Sequence, residues 1–311
     1  MPESKSFLHV ATKSNTTGHV TWLDGKDAMG TPEAVLMVTP RTNHLGRSTD
    51  VAFYPHYVSV VYSTNTGMWG ISNSDLFPMS VGAAFSVSFQ LPPPVTEDST
   101  YFRHTVSNRN SSGDRTVLDH PMINNRPLAM PFVTPSPSKL FPKGYWHSEK
   151  NSRLDDRGRW RSLSNDMLSV LTVEASNHPV GVRYDPSSGR WSIVNNDAHP
   201  MTPHMEYHIN NWGDGYSSWD HQWIDIVGRS DRAWLDLHHG ALIEYQFFIS
   251  NNLSYDLFSG TNITRDERHL TPKANLAPVA TWWNSAERRI ALVNSNGTPL
   301  RRGLGFNVRH Y

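Results

Sequence analysis

Three stretches of this chain align without a gap: HYVSVVYSTNTGMWGISNSDLFPM from His56, HPVGVRYDPSSGRWSIVNNDAHPM from His178, and APVATWWNSAERRIALVNSNGTPL from Ala277. The offsets are 122 and 99 residues. Val58, Val180 and Val279 coincide, as do Tyr62, Tyr184 and Trp283, then Ile71, Ile193 and Leu292, then Asn73, Asn195 and Asn294. In each copy apolar residues recur at every second position, small and polar residues follow, and the alternation resumes. This pattern predicts a β-hairpin with one buried face. Repetition on this scale requires one small β unit to be built three times.

The sequences ahead of the hairpins repeat as well. Phe7 to Pro40 overlays Phe102 to Pro135 at a constant offset of 95, bringing His9 onto His104 and Leu23-Asp24 onto Leu118-Asp119. In the last third, WIDIVGRSDRAWLD followed by ALIEYQFFIS resembles the same half with a deletion. The expected modules are 7–90, 101–210 and 223–311. The middle one is 27 residues longer between its halves, which predicts an inserted hairpin at about 136–175. LPPPVTEDST, with three prolines, is a stiff spacer between the first two modules, and NNWGDGYSSWDHQ joins the second to the third.

Short strands bounded by Pro and small polar residues, with no sustained helical period, predict an all-β chain. The expected architecture is three tandem antiparallel β-sandwich or barrel-like modules. Eleven Trp, 11 Tyr and 12 Phe supply bulky cores. Positive and negative residues balance at 28 each, which argues against a nucleic-acid partner held by a broad basic field. The absence of cysteine excludes a disulfide framework, a thiol nucleophile and a thiolate metal site. No apolar run reaches the roughly 18 residues of a membrane-spanning helix. The opening MPESKSFLHVATKSN lacks the pattern of a secretory signal. A soluble protein, cytoplasmic or released by a non-classical route, is the expectation.

The pattern LDHPxxNxxPxA, VT, NHPVGVxYD, GxWxIxND runs through the copies and is best kept in LDHPMINNRPLA and NHPVGVRYDPSSGRWSIVNND. It resembles a tandem β-rich repeat of bacterial secreted and surface-associated proteins. The first and third copies depart from it with HYVSV and APVAT. The resemblance implies a repeated β fold and carries over no catalytic residue.

Candidate binding groups fall in two places. GDGYSSWDHQW sets Tyr216, Trp219 and Trp223 in a Gly/Ser-rich segment, with Trp212 and Asp214 just upstream. This is a sugar-stacking platform or protein-contact patch, or else an aromatic plug between modules. Asn195 and Asp197 follow Trp191 closely, so their side-chain oxygens could meet sugar hydroxyls beside a ring. In the plainer alternative they close the turn by bonding their own backbone. HMEYH is not the H-E-x-x-H zinc signature, because glutamate stands third. On an exit strand His204, Glu206 and His208 would share one face, a weak metal candidate confined to the middle copy; the alternative is a solvated surface. The siblings have Gly82, Ala84 and Ser86, or Gly303, Gly305 and Asn307, at these positions.

No nucleophile elbow, phosphate loop or dinucleotide fingerprint occurs. The expected function is therefore non-enzymatic, lectin-like recognition of a glycan or glycoprotein without a cofactor. The alternatives are a structural or toxin-type protein-interaction role and a polysaccharide hydrolase. Any special activity of the middle copy is expected where it differs from its siblings: the inserted hairpin, His199, His204 and His208.

Overall fold

The computed structural model describes residues 4–23, 31–42, 54–63, 66–91, 100–137, 152–154, 160–162, 177–214, 221–225, 232–235, 246–253, 274–301 and 304–310. Among them the first module contributes strands β1 (Ser4–Val10), β2 (Thr16–Thr17), β3 (Val20–Trp22), β4 (Val35–Thr42), β5 (Val58–Ser63), β6 (Met68–Asn73) and β7 (Ala84–Gln90). The second holds β8 (Tyr101–Thr105), β9 (Ser111–Ser112), β10 (Arg115–Val117), β11 (Ala129–Ser136), β12 (Ser152–Leu154), β13 (Trp160–Ser162), β14 (Val180–Asp185), β15 (Arg190–Asn195) and β16 (Glu206–Asp214). The third holds β17 (His221–Asp225), β18 (Ala233–Trp234), β19 (Phe247–Asn252), β20 (Val279–Asn284), β21 (Arg289–Asn294) and β22 (Gly305–His310). The chain is all-β, as the hairpin pattern requires.

Each module packs two antiparallel layers. In the first, β1-β7-β4 faces β2-β3-β6-β5; in the second, β8-β16-β11 faces β9-β10-β15-β14; in the third, β17-β22-β19 faces β18-β21-β20. The predicted hairpins are β5-β6, β14-β15 and β20-β21, with Tyr62 opposite Trp69, Tyr184 opposite Trp191 and Trp283 opposite Ile290. Tyr62 and Trp69 meet with centroids 5.2 Å apart, and Tyr184 and Trp191 meet at 5.4 Å. Trp69, Trp191 and Ile290 are buried, each in the apolar core of its own module. Of the inserted hairpin expected at about 136–175, β12 and β13 pair antiparallel, and most of the remainder lies outside the described residues.

Repetition extends to individual bonds. His9 Nε2 meets Thr21 Oγ1 at 2.8 Å and His104 Nε2 meets Thr116 Oγ1 at 2.7 Å. The Trp69 indole donates to the Thr31 carbonyl and the Trp191 indole to the Arg126 carbonyl, both at 2.9 Å. The N–H groups of Leu23, Leu118 and Leu235 donate to the carbonyls of Trp69, Trp191 and Ile290. Leu235 thus locates, in the third module, the half that the sequence shows only faintly.

The modules also join one another. β4 runs parallel to β20, with Arg41 beside Thr281, and β19 runs parallel to β14 with Asn252 beside Val182; these pairings are equivalent under the repeat. β11 lies beside β5 in the third such position. Three hydrogen bonds complete the circuit: Val38 N–H to Thr134 Oγ1 at 3.2 Å, Val133 N–H to Ser250 Oγ at 2.9 Å, and Ile249 N–H to Thr39 Oγ1 at 3.2 Å. First donates to second, second to third, third to first. The modules therefore close into a ring with an approximate threefold axis, and each interface is head-to-tail. Equivalent residues Met37, Phe132 and Phe248, joined by Val35 and Met130, form an apolar cluster shared by all three modules. β4 is buried along its whole length because Leu36 and Val38 face their own module's core while Val35 and Met37 face this shared cluster.

A second tier of bonds follows the same symmetry with one compensated exception. Leu36 N–H donates to His208 Nδ1 at 2.9 Å, and Phe247 N–H donates to Ser86 Oγ at 3.4 Å. The equivalent of Leu36 and Phe247 in the second module is Pro131, which has no N–H. There the polarity reverses: Asn307 Nδ2 donates to the Pro131 carbonyl at 3.1 Å.

Candidate functional site

Where the three hairpins begin, the ring leaves a half-open depression of about 90 Å³. Its lining repeats the symmetry: Val58, Val180 and Val279 come from the first strands of the hairpins, and Val38, Val133 and Ile249 from the ring strands. Tyr57, Pro179 and Pro278 occupy equivalent positions, as do His56, His178 and Ala277.

Behind the two histidines of the depression lies an asparagine turn that recurs in every module. After the second hairpin strand, Asn73, Asn195 and Asn294 accept backbone bonds from Leu76, Ala198 and Gly297, whose φ values of 63°, 62° and 78° are left-handed. The amide of Asn195 donates to the carbonyls of His199 at 3.0 Å and Pro200 at 3.4 Å, and Asn73 does the same to Phe77 and Pro78. Asp75 Oδ1, Asp197 Oδ1 and Asn296 Oδ1 accept the N–H two residues on. Asn195 is buried and its amide donors are committed to its own loop. Asp197 remains partly exposed and has a second oxygen to offer.

That oxygen meets a histidine. His178 Nδ1 lies 2.7 Å from Asp197 Oδ2, and His56 Nδ1 lies 2.7 Å from Asp75 Oδ2. Each carboxylate holds its ring in orientation through Nδ1. The third module has Ala277 and Asn296 instead and lacks the pair. His56 stacks on Phe77 with centroids 5.6 Å apart, whereas His178 stacks on His199 at 4.7 Å. Tyr57 bridges modules by donating its hydroxyl to the Leu276 carbonyl. Burial, reinforced by the negative charge of Asp197, pushes the Tyr57 phenol well above its ordinary range, so it stays protonated and able to donate. The depression thus combines an apolar floor, one half-buried aromatic ring and two histidines, each oriented by an aspartate outside the lining.

The sequence-derived candidates fall elsewhere. Trp212 and Asp214 belong to the end of β16, where Asp214 pairs with Ala129, rather than to a loop. Trp223 likewise lies on β17 opposite Asn307. Tyr216 and Trp219 lie outside the described residues. His204 is not on the exit strand: it precedes β16 with a φ of 70°, at the position where the first module has Gly82 at 92°. Glu206 and His208 do share a strand face, but that face is buried between modules rather than solvated. Arg103 lies 3.2 Å from Glu206 Oε1, and His208 Nε2 lies 3.6 Å from the same oxygen. Arg103 also donates to the Ala34 carbonyl at 2.7 Å and sits over the Trp69 ring, tying the first module to the second. This buried charge is a joint between modules, with His204 set apart from it.

Sequence reasoning misses the His–Asp pairs although the aligned hairpins contain their signal. His56 and His178 coincide at the offset of 122, and so do Asp75 and Asp197. What the alignment does not show is that residues 19 apart meet across the base of a hairpin.

The family described as a domain of unknown function (DUF7452) matches residues 1–89 and, in an overlapping second region, 59–173. Together the two regions cover more than half of the 311 residues. The chain belongs to this family. Two matches to the same family model along one chain agree with a domain used repeatedly. No curated protein and no solved structure matches the chain. Among the described residues no helix is long and apolar enough to cross a membrane.

Proposed function

We propose that this chain is a non-enzymatic binding protein that recognises a carbohydrate terminus at the axial depression. The observation that carries this reading is the pairing of an apolar valine and proline floor with two His–Asp pairs, each held at 2.7 Å. Sugars present hydroxyls and C–H faces together, so a site for them needs oriented donors and acceptors next to apolar surface. The Tyr57 ring adds a flat face at the same place. At about 90 Å³ the depression is smaller than the roughly 300–1,000 Å³ of ordinary small-molecule pockets, so it would admit only part of a terminal sugar residue. Use outside the cell or at its surface, as the resemblance to secreted and surface-associated repeats implies, accords with such a ligand. A glycan array probed with the folded chain and with a His56→Ala/His178→Ala double variant tests this. Binding by the parent that the double variant loses supports the reading. No bound glycan at high protein concentration, or binding equal in both proteins, overturns it.

A second reading is contact with a protein partner at the same end of the ring. Leu276, whose carbonyl accepts the Tyr57 hydroxyl, is 59% exposed, an unusual setting for a large apolar side chain beside a concave site.

A further inference from the structure

The asparagine turn of the second module differs from its siblings by one residue with metal-binding chemistry. His199 stands where the first module has Phe77 and the third has Thr298. With His178 and Asp197 it forms a group whose ligand atoms all lie within 4.8 Å of one another. Asp197 Oδ2 lies between the two rings, 2.7 Å from His178 Nδ1 and 3.4 Å from His199 Nδ1.

From this arrangement we infer that His178, Asp197 and His199 form a binding site for a divalent transition-metal ion such as zinc. Imidazole nitrogen and carboxylate oxygen are the donors zinc prefers when no thiolate is present, at about 2.0–2.2 Å. Ligands at those bond lengths around a tetrahedral ion sit about 3.3 Å apart. The His199–Asp197 separation is already close to that value, and the His178–Asp197 pair needs to open by roughly half an ångström. In the neutral ring the proton on His178 Nδ1 passes to Nε2, freeing Nδ1 for the ion with no net change of protonation. Asp197 is pre-oriented because its Oδ1 accepts the His199 N–H at 3.3 Å. His199 is 64% exposed, which gives the ion a route in from solvent. Three protein ligands leave at least one coordination position for water or a ligand atom at the edge of the depression that His178 lines. The siblings supply the comparison: the first module keeps one imidazole and the carboxylate, and the third keeps neither. The site belongs to the second module alone; it shares His178 and Asp197 with the proposed glycan site, and a zinc titration without sugar tests it separately.

The test is a calorimetric titration of zinc chloride into the untagged full chain, with no sugar present. One zinc per chain is expected. Two variants borrow residues from the siblings and so suit the same turn: His199→Phe from the first module and Asp197→Asn from the third. Each is expected to weaken binding by at least about tenfold, since even partners one step removed from a metal contribute that much. His204→Gly, which copies Gly82 of the first module, is expected to bind as the parent does. Absence of saturable zinc binding by the folded parent overturns the assignment. So does parental affinity in His199→Phe, or loss of binding in His204→Gly.

Discussion

The backbone N–H of Leu36 donates to Nδ1 of His208 across the joint between the first and second modules, at 2.9 Å. An imidazole can accept that bond only while neutral. Burial, outweighing the attraction of Glu206, lowers the affinity of His208 for a second proton. His104, buried in the second module against Thr116, is pushed down from 6.5 to about 4. For both rings the unfolded chain takes up protons first as pH falls below about 6.5, so stability is present above that value and is lost on acidification. For His104 the loss runs between 6.5 and about 4, where the folded ring protonates too, and amounts to roughly 3 kcal/mol. Melting temperatures measured from pH 7.5 downward should decline through this window, and His104→Gln should flatten the decline. A melting temperature that holds steady to about pH 4 would contradict this account.

The ring bonds make a local substitution felt between modules. Thr134→Val keeps the shape of the side chain and removes the acceptor for Val38 N–H, so it should cost about 1–3 kcal/mol in chemical denaturation. Phe132→Ala, at the cluster shared by all three modules, should cost about 3–5 kcal/mol. If modules unfolded independently of the ring, the loss would appear in one of several separate transitions and not as a shift of them all.

Asn195 and Asp197 should separate in their effects. Asn195→Ala removes two donors from a buried turn and is expected to lower stability by about 1–3 kcal/mol. Glycan binding per folded molecule should persist in this variant, because the side chain faces its own loop. Thermal melting run alongside the array distinguishes loss of fold from loss of recognition.

One position in the hairpin turns has a left-handed backbone in all three copies: Gly67 at 68°, Gly189 at 66° and Arg288 at 52°. In Gly189→Ala the new Cβ would lie 2.0 Å from Asn125 Oδ1, so that side chain must move as well. The backbone alone should cost about 1–2 kcal/mol. Arg288→Gly should instead raise the melting temperature by relieving a similar strain. An unchanged or lower melting temperature in Arg288→Gly would show that Arg288 makes a compensating contact.

Much of the module is legible in the amino-acid sequence. The alternation that places Val60, Ile71 and Trp69 in one core has a period that only a strand can satisfy, and the turn role of Asn195 follows from an amide recurring four residues after the equivalent Trp69, Trp191 and Ile290. The ring is not legible there, because it depends on strands such as β4 and β20 that lie far apart in the chain and leave no local pattern. For the same reason Glu206 and His208 read as an outer surface: a strand at an interface alternates as an exposed one does when its buried face is polar. The alternation misplaces His204 although its counterpart Gly82 stands in the alignment, since a glycine opposite a histidine signals a left-handed turn as readily as a spare position on a strand.

Pro131 shows what linking three modules in one polypeptide permits. In a trimer of identical chains, a proline there would delete the bond at every joint at once, and any replacement donor would be imposed on every joint in turn. Here the loss occurs at one joint and Asn307 answers it at that joint alone, while His208 and Ser86 continue to accept at the other two. Covalent linkage thus lets each interface, and each turn at the mouth of the ring, acquire its own chemistry while the shared frame is kept.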